Sequence, residues 1–444
     1  MSSEWITTKL GTLVSINSKS LSVKSNIETI EYIDTSSVTE NNFDPPVILK
    51  LKDAPSRAKR IVSIGDTIIS TVRPSQKHYG YIQSCKKNTI VSTGFAVVTP
   101  KKIAPSFLYY FLTQENITNY LNTVAETSTS TFPAFKPDII NEIEITLPKD
   151  IREQASIGNF LMQIDNKIRF NNKINQTLES ISQTLFKSWF IDFDPVKAKI
   201  VAKEQGEDPQ LAAMMAISGK SEDEINQMPA DKRKQLAETA ELFPDEMMDS
   251  ELGEIPKGWT VKPIDEIANF LNGLALQKYP AKINDPFLPV IKIVQLKKGE
   301  VKGAEKASKD IPKDYIIDNG DVVFSWSGSL FSDVWCGGKG ALNQHLFKVT
   351  STHYPKWFYY QWIIFHLPEF MRIAADKAVT MGHIKREHLS QAMCIVPDEI
   401  LIKKADIVFS NLLEKYINKK VESLKLAETR DFLLPKLLSG ELSL

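Results

Sequence analysis

The sequence contains only three cysteines in 444 residues, and Cys85, Cys336 and Cys394 stand far apart. They form no CxxC pair and no metal-ligand spacing, so they predict buried, reduced thiols rather than a disulfide framework or a zinc site. Long apolar runs are also missing, since none approaches the roughly 18–20 residues that cross a bilayer. The N-terminus lacks the basic segment and apolar stretch that mark a signal peptide. These absences predict a cytoplasmic protein with no membrane segment.

Catalytic motifs are absent as well. The sequence has no GxxxxGK(S/T) phosphate loop, no HExxH zinc motif and no GxSxG nucleophile turn. It also lacks the Asn-Pro-Pro-aromatic run that adenine methyltransferases use. The glycine-rich stretch 337–340 lacks the spacing of a nucleotide loop, and His383 and His388 are too poorly placed on a helical face to bind a metal. We therefore expect no catalytic centre, no metal site and no cofactor in this chain.

The net charge is zero, which at first argues against a nucleic-acid-binding protein. The distribution of charge changes that conclusion, because residues 195–254 carry 14 acidic and 7 basic side chains. This segment has a local charge of −7 and leaves +7 on the rest of the chain. A neutral total is therefore compatible with basic surfaces outside the acidic segment.

In place of catalytic motifs, the sequence has an internal repeat with a spacing of about 250 residues. Five features recur in order: a Trp-led strand, a Gly-Asp turn opening a strand, an aromatic run, a short strand ending in proline, and a long helical stretch. The paired segments are 5–10 and 259–264, 64–70 and 319–325, 107–110 and 357–360, 143–148 and 392–397, and 151–193 and 399–434. The aromatic runs have the spacing of helices packed in a core. The repeat predicts two similar modules, at 1–150 and 255–398.

Two long helices are predicted to follow the modules, at 151–194 and 399–444. Apolar residues recur at steps of three and four in both stretches, as on the seam of a helix pair. Pro435 is expected to kink or end the second helix. The middle of the first helix contains an asparagine cluster: Asn166, Asn171, Asn172 and Asn175. We expect these side chains to be solvated, although one asparagine on the seam would also fix the register of the pair.

The stretch 195–254 is predicted to be an acidic and partly helical connector. Its composition favours helices at 209–217 and 231–243, followed by an extended, turn-rich entry into the second module. The complete organisation predicts an α+β fold with two similar α/β modules. Two long antiparallel helices separate them as a coiled-coil-like spacer, in a duplicated architecture with pseudo-two-fold symmetry.

Four stretches of the chain resemble the specificity (S) subunits of type I restriction–modification systems. Their positions are 153–168, 185–196, 252–259 and 433–442. Residues 153–168 and 185–196 resemble the start and the end of the family's first conserved helix. Residues 252–259 resemble the entry to its second target-recognition domain, and residues 433–442 resemble its C-terminal signature. One position departs from the pattern, because the second helix begins without the Glu153-Gln154 pair of the first.

This resemblance implies a DNA sequence-specificity subunit with no catalytic activity of its own. Each of two target-recognition domains would read one half of a bipartite target in double-stranded DNA. The helices would set the spacing between the halves and dock two methyltransferase subunits, which restriction subunits join in the full complex. The resemblance also implies that S-adenosylmethionine, ATP and Mg²⁺ are bound by those partners.

Polar and cationic loops of the first module are candidate DNA contacts. Phosphates bind Lys, Arg and hydroxyls, whereas base edges bind Arg, Lys, Asn, Gln and Ser or Thr. The loop after the first Gly-Asp strand contributes Arg73, Ser75, Gln76, Lys77, His78 and Tyr79. A second, hydroxyl-rich stretch contributes Thr131 and Lys136. An ordinary polar hairpin loop and a helix cap or linker are the alternative interpretations.

The second module has candidate contacts at matching positions. They are Trp326, Ser327 and Ser329 after the second Gly-Asp strand, Asn343, Gln344 and His345 before the next strand, and His383 and Lys385 further along the chain. The alternative interpretation of Trp326 is packing onto its own core.

Apolar residues near the ends of the long helices are the candidate partner surface, because exposed apolar patches often mark protein interfaces. They are Leu185, Phe186, Trp189, Phe190 and Phe193 in the first helical stretch, and Leu434, Leu437 and Leu438 in the second. The alternative is that these residues pack on the connector of the same chain.

Three functional hypotheses follow, of which the DNA-specificity subunit is favoured. The alternative is a protein–protein scaffold with paired helices and no DNA contact, against which the basic, amide-rich loops of both modules argue. A self-contained DNA-cleaving or methylating enzyme lacks any visible motif.

Overall fold

The computed structural model describes residues 4–22, 27–127, 132–376 and 382–444. The chain divides into two compact units, one formed by Met1–Ile168 with Leu426–Leu444 and the other by Arg169–Lys425. Each unit contains one of the two predicted modules together with segments of both long helices.

The first module contains two four-stranded sheets, of which one is antiparallel in the order β2-β11-β8-β9 and the other is mixed in the order β6-β3-β10-β7. β1 and β12 form a separate antiparallel pair. The elements are β1 (Trp5–Lys9), β2 (Val14–Ile16), β3 (Thr29–Ile33), β4 (Val38–Thr39), β5 (Asn42–Phe43), β6 (Val47–Lys50), β7 (Ala58–Ile61), β8 (Thr67–Ser70), β9 (Tyr79–Tyr81), β10 (Thr89–Ser92), β11 (Phe95–Pro100), α1 (Pro105–Leu112), α2 (Glu115–Glu126), α3 (Ile139–Glu142) and β12 (Glu144–Pro148).

A long helix and the connector follow. Their elements are α4 (Ile151–Phe190), α5 (Asp194–Gln205), α6 (Pro209–Ser218), α7 (Glu222–Asn226), α8 (Ala230–Glu241), β13 (Met247–Ser250) and β14 (Gly253–Pro256). The two helices predicted in the connector appear as α6 and α8. The stretch predicted to be extended and turn-rich forms the β13–β14 hairpin.

The second module repeats the architecture of the first and is followed by the second long helix, α13. The elements are β15 (Thr260–Pro263), α9 (Ile264–Ile267), β16 (Asn269–Asn272), β17 (Phe287–Ile291), α10 (Ile293–Lys298), β18 (Lys306–Ser308), β19 (Ile316–Ile317), β20 (Val322–Ser325), β21 (Phe331–Val334), β22 (Gly340–Leu342), β23 (Leu346–Thr350), α11 (Lys356–Asp376), α12 (Arg386–Gln391), β24 (Met393–Val396) and α13 (Glu399–Ser439).

The strand orders of the two modules confirm the duplication. The order β16-β23-β20-β21 repeats β2-β11-β8-β9, and β18-β17-β22-β19 repeats β6-β3-β10-β7. The mixed sheets also share one parallel pair at the same place, β3 with β10 and β17 with β22. The pair β15–β24 likewise corresponds to β1–β12.

The Gly-Asp turn is built in the same way in both modules. Gly65 and Gly320 both have a φ of +92°, which a residue with a side chain rarely adopts. Asp66 then accepts a hydrogen bond from the Ser63 amide, as Asp321 does from the Asp318 amide. The Gly-Asp motif therefore forms the same turn in both modules.

The structure contradicts the predicted exposure of the aromatic residues near the end of the first helix. Phe186, Trp189, Phe190 and Phe193 are at most 6% exposed, and Leu185 is partly buried against the same core. Phe190 contacts Trp259, Trp357 and Phe409, while Trp189 contacts Phe243 of the connector. The reason is that these aromatic residues form part of the core of the second unit. This agrees with the alternative interpretation, packing on the connector of the same chain, except that the second module contributes to the contact as well.

The C-terminal leucines are also internal. Leu437 and Leu438 are buried in the first unit's core, and Leu434 packs against it. Of the two expectations for Pro435, the end of the helix is contradicted, because α13 continues through this residue to Ser439. A kink at Pro435 stays a prediction. The burial of the two leucines after the proline holds this last turn in the core.

Only part of the asparagine cluster is solvated. Asn166 and Asn172 are exposed, whereas Asn171 is fully buried and Asn175 is 8% exposed. The expectation of solvation was wrong for these two because their face of α4 is packed inside the second unit.

In the first unit, α4 approaches the start of α1 very closely at Gly158. A Cβ at this position would lie 2.5 Å from the backbone nitrogen of Phe107 and 2.5 Å from Ser106 Oγ. Four residues earlier, Gln154 is buried; its Nε2 donates to the Pro148 carbonyl and its Oε1 accepts from the Ala104 amide. The start of α13 lacks the Glu-Gln pair: Leu401 and Ile402 are buried there, and Lys404 Nζ lies 2.7 Å from Glu238 Oε2.

An ion pair joins the two long helices within the first unit. The Arg430 guanidinium lies 2.7 Å from Asp165 Oδ1, and the Tyr110 hydroxyl donates to Asp165 Oδ2 at 2.5 Å. Burial and the negative charge of Asp165 raise the pKa of Tyr110 well above its ordinary value. The hydroxyl therefore keeps its proton and links α1 to both helices.

Gly158→Ala is expected to destabilise the first unit by about 2 kcal/mol, because a backbone atom cannot yield to the added methyl group as a flexible side chain would. This loss exceeds the gain of about 1 kcal/mol in helix propensity. Chemical unfolding and limited proteolysis of this variant and of a control measure the change in stability. Ser156→Ala, at an exposed position of the same helix, is the control and is expected to change stability by less than about 0.5 kcal/mol; equal effects of both changes would contradict the steric explanation.

Candidate nucleic-acid interface

The two candidate segments of the first module lie side by side. Val72 forms a β-bridge with Ala134, and the Arg73 amide donates to the Pro133 carbonyl at 2.9 Å. The Arg73 guanidinium lies 4.9 Å from the centre of the Phe132 ring. The loop after β8 and the segment after residue 131 therefore form one surface, which we call patch one: residues 71–79 and 132–136.

The loop of patch one has an unusual backbone. Arg73 and Lys77 have φ values of +47° and +55°, and a single 3₁₀ turn, Pro74–Gln76, lies between them. Glu40 and Asn41, which also have positive φ, contact this loop, since their amides donate to the carbonyls of Lys77 and Tyr79. Four non-glycine residues in a sparsely populated conformation thus meet where the β4–β5 hairpin contacts the loop, and such clusters are typical of functional sites.

Lys77 is engaged inside the protein. Its Nζ lies 3.0 Å from Glu115 Oε2 and 3.4 Å from Glu40 Oε1, and its side chain is 30% exposed. Burial acts to lower the pKa of this ammonium group, but the two carboxylates outweigh burial, and the net pKa lies above its ordinary value. Lys77 is therefore charged and is held by the α2 helix and the hairpin.

His78 and Tyr79 also have internal contacts. His78 Nδ1 lies 2.7 Å from the Val38 carbonyl oxygen and 3.1 Å from Thr39 Oγ1. The Tyr79 ring packs edge-on against Tyr109, with ring centres 6.5 Å apart, and burial together with the charge of Glu40 raises the pKa of its hydroxyl. These side chains hold the loop in place.

The exposed side chains of patch one are fewer than the sequence predicted. Arg73, Ser75, Gln76 and Lys136 are exposed in the part of the chain that the structure describes, and Thr131 lies outside the described residues. The Ser75 amide is 3.4 Å from Asn122 Oδ1, which ties the 3₁₀ turn to α2. A role of these four side chains in DNA contact stays a prediction.

In the second module the structure brings all three candidate segments together. Ser327 forms a β-bridge with His383, and the Ser327 hydroxyl lies 2.9 Å from His345 Nδ1. The Trp326 ring packs between His345 and His383, at 6.0 and 6.3 Å between ring centres. We call this surface patch two: residues 326–331, 343–345 and 382–385.

The individual side chains of patch two differ in exposure. Asn343 is 6% exposed and its Oδ1 accepts from the His345 amide at 3.3 Å, so the expectation that it projects toward a base is contradicted by its role in a tight turn. Ser327 is similarly buried, and Gln344 and His383 are half-buried. His345, Ser329 and Lys385 are exposed, the last beside Glu387 at 3.4 Å.

Trp326 combines both interpretations that the sequence left open. It is half-buried against Phe347 of the core, with ring centres 5.9 Å apart, and its Nε1 donates to Asn272 Oδ1 at 2.9 Å. One part of its ring therefore belongs to the core and the rest forms part of patch two.

The two patches occupy equivalent places. Ser70 Oγ donates to the Val72 carbonyl in patch one, as Ser325 Oγ does to the Ser327 carbonyl in patch two. The bridges Val72–Ala134 and Ser327–His383 then join the equivalent segments. The backbone is thus repeated while the side chains that it presents differ.

Sequence reasoning missed several residues that shape the patches. Lys297 of α10 donates to Ser329 Oγ at 2.6 Å, and Glu40, Glu115 and Asn272 orient Lys77 and Trp326. These residues lie 32 to 54 positions away from their partners along the chain, so no local sequence pattern indicates them.

Across the described residues, no group of three or more His, Cys, Asp and Glu side chains has the arrangement of a metal site. No helix in that part of the chain combines the length and apolarity needed to cross a membrane.

The chain matches known proteins over both modules. The family described as the type I restriction modification DNA specificity domain matches residues 2–180 and again residues 256–423. The specificity subunit of the type I restriction enzyme HindI from Haemophilus influenzae is 30% identical over 442 residues, covering 93% of this chain and 94% of that protein. The MjaIX specificity subunit from Methanocaldococcus jannaschii is 26% identical over 396 residues, covering 86% and 79%.

A solved structure supports the fold. The S subunit of a type I restriction–modification system from M. genitalium has a TM-score of 0.51 at 12% identity, covering 98% of this chain and 96% of that one. The repeated family match falls on the two modules that the structure shows to be duplicated. The chain belongs to the family of type I restriction–modification specificity subunits.

Proposed function

We propose that this protein is the DNA sequence-specificity subunit of a type I restriction–modification complex, in which each module reads one half of a bipartite target. The observation that carries the proposal is the equivalence of patch one and patch two, since the same bridged backbone presents different polar side chains. Arg73, Gln76 and Lys136 in one patch and His345 and Lys385 in the other suit phosphates and base edges.

In this proposal the chain determines which DNA sequence the complex recognises, and it carries no catalytic centre. Two methyltransferase subunits bind S-adenosylmethionine and modify the DNA, and restriction subunits add ATP- and Mg²⁺-dependent cleavage in the full cytoplasmic complex. The absence of catalytic motifs from the sequence supports this division of roles.

Docking of the methyltransferase subunits requires a surface other than the one predicted from the sequence, because those aromatic residues are buried. Exposed apolar side chains do occur on the long helices. Ile400 and Ile407 are both 62% exposed and stand two turns apart on α13, so they share one face. We assign this face to partner docking.

A methylation map tests the proposed function directly. The chain is co-expressed with its methyltransferase subunit in a host without methylation, and the modified adenines in the host DNA are sequenced. We expect a two-part motif with one fixed spacer and co-purification of the two subunits. A scaffold without DNA contact would co-purify yet leave no sequence motif, and a motif produced by this chain alone would contradict the non-catalytic assignment.

Arg73→Ala is expected to weaken DNA binding by the complex about tenfold and to reduce the salt dependence of log Kd by about one ion, because one exposed cation is lost. Gel shifts at several salt concentrations measure both quantities. Arg57→Ala, which removes an exposed arginine from the same module outside patch one, is the matched control. Relaxed preference at one half-site would assign module one to that half, whereas equal behaviour of the two variants would remove Arg73 from the interface.

Ile407→Asp is expected to lower the recovery of the methyltransferase subunit in co-purification at least tenfold, because a charge would be placed in an apolar contact. Ile283→Asp changes an isoleucine that is 92% exposed on the second module and is expected to leave recovery unchanged. Full recovery with Ile407→Asp would show that this face of α13 is not the docking surface.

A further inference from the structure

The helix pair of the second unit has polar side chains buried in its centre, where paired helices ordinarily bury apolar ones. Asn171 is fully buried, and Asn175, one turn further along α4, is 8% exposed. Ser423 of α13 is also 8% exposed. Asn172, by contrast, points to solvent. The buried positions are four residues apart, so they lie on the same face of α4.

The side chain of Asn171 makes a hydrogen bond to the other helix of the pair. Asn171 Nδ2 donates to Glu422 Oε2 at 3.1 Å, and Lys419 Nζ lies 2.7 Å from the same carboxylate oxygen. The amide of Asn171 thus meets an anionic acceptor that a lysine holds in position. Such charge-assisted hydrogen bonds are stronger than those between neutral groups.

Three oxygen atoms at these residues have no hydrogen-bond partner among the described residues: Asn171 Oδ1, Asn175 Oδ1 and Ser423 Oγ. Buried polar atoms without partners destabilise a protein relative to an apolar seam of the same shape. These unpartnered oxygen atoms belong to residues close in sequence to the hydrogen bond between Asn171 and Glu422. This arrangement is typical of a polar layer that selects one alignment of two helices at a cost in stability.

The physical basis of that selection is the difference between apolar and polar seams. Apolar side chains make no directional contact, so they discriminate less than polar ones against a slide of one helix past the other by a turn, about 5.4 Å. A buried amide has no such freedom, because sliding by one turn would separate Asn171 from Glu422 and leave the amide buried without its acceptor.

We propose that Asn171, through Glu422, locks the register between α4 and α13 and thereby fixes the spacer length that the protein accepts between its two half-sites. The register lock stands on the structure alone, whereas the effect on spacer length rests on the proposed function. Asn171 is a positioning residue, since it acts through the helices and contacts no DNA in this proposal.

The register is measured with two spin labels in the full chain bound to its methyltransferase subunit. Labels at Gln176→Cys on α4 and Asn418→Cys on α13 occupy exposed positions within the second unit, and Cys85→Ser removes the native thiol that is not fully buried. Pulsed electron–electron distance measurements then compare Asn171→Leu with Asn172→Leu, which adds the same side chain at the exposed neighbouring position.

We expect one interlabel distance in the parent protein and in Asn172→Leu. Asn171→Leu is expected to show a second distance population of at least one fifth, reflecting a shift of about one turn, together with a higher melting temperature. A single, unchanged distance in Asn171→Leu would overturn the proposal. If the leucine variant does not fold, Asn171→Ala, which removes the same amide without adding volume, is measured in its place, and the same second distance population is expected.

Spacer length supplies the functional readout. A slide of about 5.4 Å corresponds to one or two base pairs at about 3.4 Å each. Asn171→Leu is therefore expected to bind duplexes whose spacer is changed by one or two base pairs within threefold of the native spacer, while Asn172→Leu keeps the discrimination of the parent. Unchanged discrimination in Asn171→Leu would overturn the link to spacing. A parent complex that ignores spacer length altogether would contradict the proposed function, and the distance measurement would still decide the register lock.

Discussion

Within each unit, the module is fixed by close packing against the long helices that belong to that unit. In the first unit this contact depends on Gly158, whose missing side chain lets α4 approach the backbone at Phe107. In the second unit Asp406 accepts a hydrogen bond from Trp357, whose ring stacks on Phe409 at 4.4 Å. A recognition loop can be positioned accurately only if the sheet that carries it is fixed in this way, because loops contribute little rigidity of their own.

This packing also determines which surfaces remain available to partners. The aromatic residues from Phe186 to Phe193 are used by the second unit for its own core, and Leu437 and Leu438 are used by the first. In the proposed function the methyltransferase subunits therefore dock on other residues of the helices, such as the exposed isoleucines of α13. The interior of the helix pair at Asn171 has a different role again, since its polar groups favour one alignment over others.

Duplication separates the conserved architecture from the variable chemistry. Both modules keep the Gly-Asp turn, the serine that hydrogen-bonds two residues ahead, and the bridge to the following segment. What differs is the set of side chains around it: Arg73 and Gln76 in patch one, and Trp326 and His345 in patch two. Lys136 and Lys385, two residues after the bridged positions, are common to both. Two modules of one fold can in this way recognise two different half-sites, because the sheets fix the loops while the loops carry the contacts.

The sequence by itself determined the duplication, the α+β class, both long helices and the core position of the aromatic runs, because these depend on periodicity and on local turn chemistry. It also located the segments of both patches. Only the tertiary structure decided which side chains in them are exposed: Lys77 is held by Glu40 and Glu115, and Asn343 is buried. It likewise decided that Phe190 and Asn171 face inward and that α13 continues past Pro435. The physical reason is that burial and ion pairing are set by residues far apart in the chain, which no local pattern of the sequence records.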